Sequence, residues 1–229
     1  MTEKIQTLRD SAVARWSALL LIATMMFFAY MFVDFLSPLK NALETSLNWN
    51  SSTFGTYAAS EYFLNVFCLF LIFAGIILDK MGIRFTGLLS ASLMVIGACI
   101  KFYAVSDLFI GSGFEAWLNS WWTALPGTAK LACVGFMIFG CGCEMAGTTV
   151  SKAIAKWFKG KEMAMAMGLE MSIARLGVFA AMWLSPFVYE KFNNAISAPV
   201  AFGAALLCIG LIFYAVFVMM DRKLDKDLT

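Results

Sequence analysis

Two charged side chains, Glu144 and Arg175, lie deep inside apolar stretches of this 229-residue chain. Ionisable groups in such surroundings are costly, so each marks a functional position by default. Counted from Lys159, in the polar turn between the two stretches, Glu144 lies 15 residues back and Arg175 lies 16 residues on. Antiparallel helices with arms of equal length put the two side chains at one depth, and at about 1.5 Å rise per residue that depth is near the middle of a bilayer. The chemistry open to them is recognition. A carboxylate receives an ammonium, and a guanidinium grips a carboxylate in a planar, bidentate way, so a zwitterion is the matching cargo. A structural ion pair that neutralises both charges is the other reading, and the two residues alone leave both open. Gly135, Gly140, Gly142 and Gly147 around Glu144 permit close helix packing or an adjacent cavity.

The remaining polar groups say less. Glu61 lies one helical turn from Tyr57 and either shares a cavity with it or lies near the outer interface. Asp34 reads as interfacial, Lys152 as a snorkelling side chain, and Glu170 lies towards the cytoplasmic side. Met163, Met165, Met167 and Met171 read as packing filler. The six cysteines, including the Cys141-Gly142-Cys143 triplet, fall within apolar runs and read as small core residues. With no histidine in the chain, histidine triads and HExxH zinc sites are excluded, and no metal or cofactor is expected. The interfacial loops carry neither paired carboxylates nor a nucleophile with a base, so no enzyme is expected.

The elements that must position these residues are helices in a membrane. The chain is 61% hydrophobic and 14% charged, against about a quarter charged for a soluble domain. Its net charge of +2 is too small and too dispersed for a nucleic-acid surface. Six stretches have the length and apolar character of a span: 16–37, 54–78, 85–105, 131–155, 163–189 and 200–220. The expected architecture is an all-α integral membrane protein of six transmembrane helices, with a cytoplasmic leader (1–15), one membrane domain (16–220) and a charged end (221–229) that is a tail or the start of a central loop. Twelve cations, among them Lys4, Arg9, Arg15, Lys80 and Arg84, fall on one side and four (Lys40, Lys101, Lys130, Lys191) on the other. The positive-inside rule then puts both termini in the cytoplasm, and Arg175 is the one cation left within a span. Trp49, Trp117, Trp121 and Trp122 fall in outer connections and read as an interfacial belt or a short helix in the headgroups.

Asp79-Lys80-Met81-Gly82 follows the second stretch and Glu190-Lys191-Phe192-Asn193 the fifth, 111 residues further on and on the opposite face. Three helices followed by three of opposite topology make an inverted repeat, the unit from which halves of many transporters are built. The segment Gly75-Ile76-Ile77-Leu78-Asp79-Lys80-Met81-Gly82-Ile83-Arg84 resembles the G-x-x-x-D-(R/K)-x-G-x-(R/K) signature of the major facilitator superfamily, with Ile83 where a basic residue is often found. Ala155-Lys156-Trp157-Phe158-Lys159-Gly160-Lys161-Glu162, with Gly168-Leu169 and Leu176-Gly177 beyond it, is similar to the pattern joining helices four and five in the same superfamily.

That resemblance covers essentially the whole chain and implies a 3+3 inverted repeat forming one half of a transporter. It implies that Gly75, Asp79, Lys80, Gly82 and Arg84 work as a cytoplasmic gate, with Asp79 pairing with Arg84 at a helix end. Within the superfamily, the 31-residue separation of Glu144 and Arg175 is similar to that in the lysosomal dipeptide transporters and their bacterial relatives, which implies that these two residues meet the amino and carboxyl ends of a peptide. The expected substrate-binding residues are thus Glu144 and Arg175, with Glu61 and Tyr57 as further candidates. The expected function is secondary transport of a small zwitterionic solute, most simply a dipeptide, in a bacterial inner membrane. Transport of another small organic solute (a sugar, organic anion or drug) and a non-transporting six-helix scaffold remain open. Besides the lipid bilayer and a small-molecule substrate, the expected partner is a second six-helix half, whether in the same chain, in another protein or in a second copy.

Overall fold

A computed structural model describes residues 7–228, over which every regular element is helical. Lys4 of the expected leader and Thr229 lie outside the described residues. Helix α1 spans Ala12–Val33, and a 3-10 turn at Ser37–Leu39 leads into the short α2, Lys40–Leu47. There follow α3 (Ser51–Phe67), α4 (Phe70–Ala104), the short α5 (Gly113–Asn119), α6 (Gly127–Trp157), α7 (Met163–Lys191) and α8 (Ser197–Leu228). The starts follow capping chemistry. The Ser11 hydroxyl accepts from the Ala14 N–H, and Asn50 Oδ1 accepts from the Thr53 N–H at 2.8 Å.

Five segments are long and apolar enough to cross a bilayer: Ala12–Leu47, Phe70–Ala104, Gly127–Trp157, Met163–Lys191 and Ser197–Asp227. The stretch expected at 54–78 is not one helix. Leu69 takes a left-handed conformation (φ 52°), which ends α3 and starts α4. Helix α4 in turn is two arms, 70–81 and 83–104, meeting at Gly82 with φ 75° and ψ 174°. Only glycine adopts that backbone without strain.

The chain reverses at Gly82. Before it, partners on α6 advance in step: Trp49 with Thr128, Tyr57 with Phe136, Asp79 with Lys152. After it the order inverts, since Gly142 abuts Ser90 and Met94 while Gly135 abuts Gly97. Residues 49–81 therefore run parallel to α6 and the second arm of α4 runs antiparallel to it. Close approach of these backbones depends on glycine: a methyl group on Gly142 would come within 2.6 Å of the Ser90 carbonyl oxygen. On the other flank, α1 packs on α7 and α8, and α4 meets α8 behind the central pair α1 and α6.

Three side chains expected in outer connections are buried. Trp49 is fully buried, turned inward by the left-handed Asn48 (φ 56°), and its indole donates to Thr128 Oγ1 at 3.0 Å. Lys130 is buried with its ammonium donating to the carbonyls of Leu118, in the last turn of α5, and of Trp121 just beyond it. Lys101, in the last turn of the second α4 arm, is 0% exposed, with Nζ 4.3 Å from the ring centre of Phe32, 4.5 Å from Phe136 and 5.1 Å from Tyr57. Aromatic faces replace water around that cation. Arg175 is thus not the one cation placed among the helices. Helix α8 continues through the charged end to Leu228 and carries Asp221 fully buried.

Candidate functional site

Glu144, from the middle of α6, lines a cleft of about 220 Å³ with Met26 and Tyr30 of α1 and Glu170 of α7. Gly147, Thr148 and Ser151 continue the α6 wall, and the space beside Gly147 is open, with nothing within 4 Å of a methyl group built there. Of the four glycines near Glu144, three abut a neighbouring backbone and the fourth opens the cleft. Arg175, on α7, lies outside that lining but packs on its Tyr30, with the guanidinium carbon 5.3 Å from the centre of the ring. Among the described residues neither Glu144 nor Arg175 has a hydrogen bond or an ion pair, so they do not neutralise each other. The arrangement offers a carboxylate and a guanidinium, both against one tyrosine, to a ligand of opposite charge at each end.

Glu61 and Tyr57 lie elsewhere. Tyr57 is buried with its ring stacked 4.8 Å from that of Phe136, and neither it nor Glu61 lines the Glu144 cleft. Glu61 is buried against Gly140, within electrostatic reach of Lys101. These two form an inner cluster between α3, α4 and α6. Glu61 is buried beside Gly140, and the Tyr57 ring is close-packed on Phe136.

The motif residues gather at the Gly82 reversal, paired differently from the expectation. Asp79 bonds the ammonium of Lys152 at 2.6 Å, and Arg84 turns instead to α8, with Nε 2.7 Å from Asp221 and a further ion pair to Asp225. The reason is geometric: Gly82 separates the two residues onto antiparallel arms, with α6 beside one and α8 beside the other. Asp221 also accepts from Lys156 Nζ at 2.8 Å and from the Trp157 indole at 3.0 Å. Gly75 has open space beside it and Lys80 is exposed. Sequence reasoning missed Asp221 and Tyr30. Lys156 and Trp157 stood inside a quoted motif without an assigned partner.

A second contact ties the described end of the leader to the α6–α7 turn. Lys161 Nζ meets Asp10 at 2.9 Å and Arg15 meets Glu162 at 3.2 Å. The Lys161 hydrogen bond, helped by Thr7, holds the Asp10 carboxyl well below the usual carboxylate range. Glu162 is lowered too, chiefly by its own backbone N–H and then by Arg15. Among the described residues no group of three potential metal ligands is found.

Comparison with known proteins gives a consistent set. The Major Facilitator Superfamily matches residues 20–228. A lysosomal dipeptide transporter MFSD1 from Pongo abelii is 24% identical over 225 residues, covering 94% of this chain and 44% of the relative. The Mus musculus and Danio rerio proteins of that name are 26% and 28% identical over 211 residues, each covering 88% of this chain and 41% of the relative. The chain thus spans less than half the length of the curated relatives it matches. No solved structure matches.

Proposed function

Because this chain belongs to the major facilitator superfamily, a family of membrane transporters rather than enzymes, we propose that it forms one six-span half of an alternating-access secondary transporter for a small zwitterionic solute, with dipeptides or short peptides as the substrate. The carrying observation is that Glu144 and Arg175, without ion-pair partners among the described residues, both stand against Tyr30. Glu144 receives the amino terminus and Arg175 the carboxylate, and the name of the relatives supports peptide as the class.

The 3+3 inverted repeat is supported by the packing. Taking α3 with the first arm of α4 as the second span and the other arm as the third, α1 packs on the fifth and sixth spans as α6 packs on the second and third. Exchange of the two triplets maps one set of contacts onto the other. The lysines and arginines clustered at the Gly82 reversal, the α6–α7 turn and the end of α8 support a cytoplasmic position for both termini. The Gly75 to Arg84 segment is the latch of that face. A second six-helix half covers the face formed by α3, α6, α1 and α7, on which the cleft opens.

Reconstitution into liposomes with labelled dipeptides tests this reading. Saturable uptake or binding that is lost in Glu144→Gln and in Arg175→Gln is expected. Dipeptide affinity retained in both variants overturns the assignment, and absence of any saturable signal favours a scaffold.

A further inference from the structure

A second cavity, of about 660 Å³, opens between α3, α5 and the start of α6, and neither Glu144 nor Arg175 lines it. Because residues 49–81 run parallel to α6, its two ends can be told apart. Thr56, Lys130, Trp121 and Trp122 lie at the end remote from the α6–α7 turn. Phe67 lies 11 residues along α3 from Thr56, about 16 Å deeper. Phe63, Leu118, Leu131 and Val134 form the wall between, and among the described residues no acidic side chain lines it. The chain does not fill this space itself, since Phe67 is 75% exposed and Trp122 60% exposed. Trp122 also holds a left-handed backbone (φ 47°), which a bulky side chain adopts only where its surroundings impose it.

Lys130 sets the chemistry of the mouth. Its side chain is 6% exposed, and it lies with Nζ 4.8 Å from the centre of the Trp121 ring. Two of its three protons go to the Leu118 and Trp121 carbonyls, which are neutral, and the third has no acceptor among the described residues. Lys130 makes no ion pair among those residues either. A full positive charge thus stands at the entrance to an apolar slot without a counter-ion, and an anion at the mouth relieves that cost.

An anionic head with a long apolar tail is the form of a membrane lipid, and the order of the lining matches a bilayer. The exposed Trp117, Trp121 and Trp122 stand with the cation at headgroup level, and the slot leads from them along α3 towards the hydrocarbon. A zwitterionic peptide finds no carboxylate here for its amino terminus, and an apolar protein segment leaves Lys130 without its anion. We propose that this cavity is a binding site for an anionic phospholipid, with the phosphate at Lys130 and one acyl chain laid along α3 as far as Phe67.

The test uses the full chain in liposomes with a phosphatidylglycerol that carries a photoreactive group at the end of one acyl chain, and locates the adducts by peptide mass spectrometry. Saturable adducts are expected on residues 63–67 and 131–137. Unlabelled phosphatidylglycerol should displace them about fivefold better than phosphatidylcholine with the same chains, the preference that one lysine near a membrane surface gives. Lys130→Gln is expected to remove that preference and Lys130→Arg to keep it. Ala59→Trp, which fills the slot from an exposed position on α3, is expected to remove the adducts at both segments with Lys130 still present, and it decides the matter where Lys130→Gln does not reach the membrane. Equal displacement by the two lipids would show a slot indifferent to charge and would overturn the proposal. Adducts spread evenly over the helices, or none at these segments, would overturn it too, the latter being the result where part of a second six-helix half fills the cavity. None of these outcomes depends on transport, so each leaves the peptide reading of the cleft as it stands.

Discussion

Asp221 Oδ2 accepts a hydrogen bond from Arg84 Nε at 2.7 Å, although 137 residues separate the two. The carboxylate is fully buried and serves Arg84, Lys156 and the Trp157 indole at once, joining the ends of α4's second arm, α6 and α8. Asp221→Ala strips three donors of their acceptor. Arg84 and Lys156 are each about one third exposed, so water recovers part of the loss, and a destabilisation of about 1–3 kcal/mol is expected. Thermal unfolding in detergent checks it; an unchanged midpoint would show that Asp225 suffices.

Tyr30 tests the cleft without touching either charge. Its ring carries the Arg175 guanidinium at 5.3 Å. Tyr30→Ala is expected to weaken dipeptide binding by about 0.5–2 kcal/mol, roughly 2- to 30-fold, while Tyr30→Phe keeps most of the affinity because the ring face persists. Titration with a labelled dipeptide separates the two, and equal losses would assign the effect to the hydroxyl.

Two glycines of α6 should respond oppositely to alanine. At Gly142 the new methyl group meets the Ser90 carbonyl at 2.6 Å and the Met94 nitrogen at 2.8 Å, both backbone atoms that cannot turn aside. A cost of about 1–3 kcal/mol is expected. Gly147→Ala has nothing within 4 Å and gains about 0.5–1 kcal/mol of helix stability. Unfolding midpoints that move in the same direction would contradict the helix contact at Ser90.

The leader contact has a defined pH response. Asp10 is held below its ordinary value by Lys161, so its contribution is complete above the usual carboxylate range and is lost only as pH falls through the lowered folded value. Hydrogen exchange of residues 7–11 should therefore show the same protection at pH 5 and pH 8 once corrected for intrinsic rates, and less in Asp10→Asn at either pH. Protection that drops between pH 8 and pH 5 would place the contact on another group.

The positions of the apolar stretches were legible from hydropathy because every spanning segment must be apolar, whatever it packs on. Their breaks were not. Leu69 is an ordinary strong helix former with no turn residue beside it, yet it takes the left-handed conformation that ends α3. Glu144 and Arg175 could be paired by counting because equal arms about one turn fix relative depth. The burial of Lys101 was not legible because a cation at the end of a span reads as an anchor, whereas three aromatic rings from α1, α3 and α6 enclose it here. Asp221 was invisible for a related reason: its partners arrive from two other helices, and the charged run that follows it looks like a solvated end. Tyr30 and Glu170 gain meaning only when α1, α6 and α7 come together.

The partners of the buried ions also carry an order in time. Arg84 and Lys156 leave the ribosome well before Asp221, and Arg15 precedes Glu162 by 147 residues. During synthesis the early helices therefore wait with cations whose Asp221 and Glu162 partners have yet to be made, and the Asp221 clamp closes only when α8 is in place. Nascent chains halted before residue 221 should expose Arg84 and Lys156 to quality-control proteases, and chains extended past it should not, which makes one aspartate the signal that the bundle has been completed.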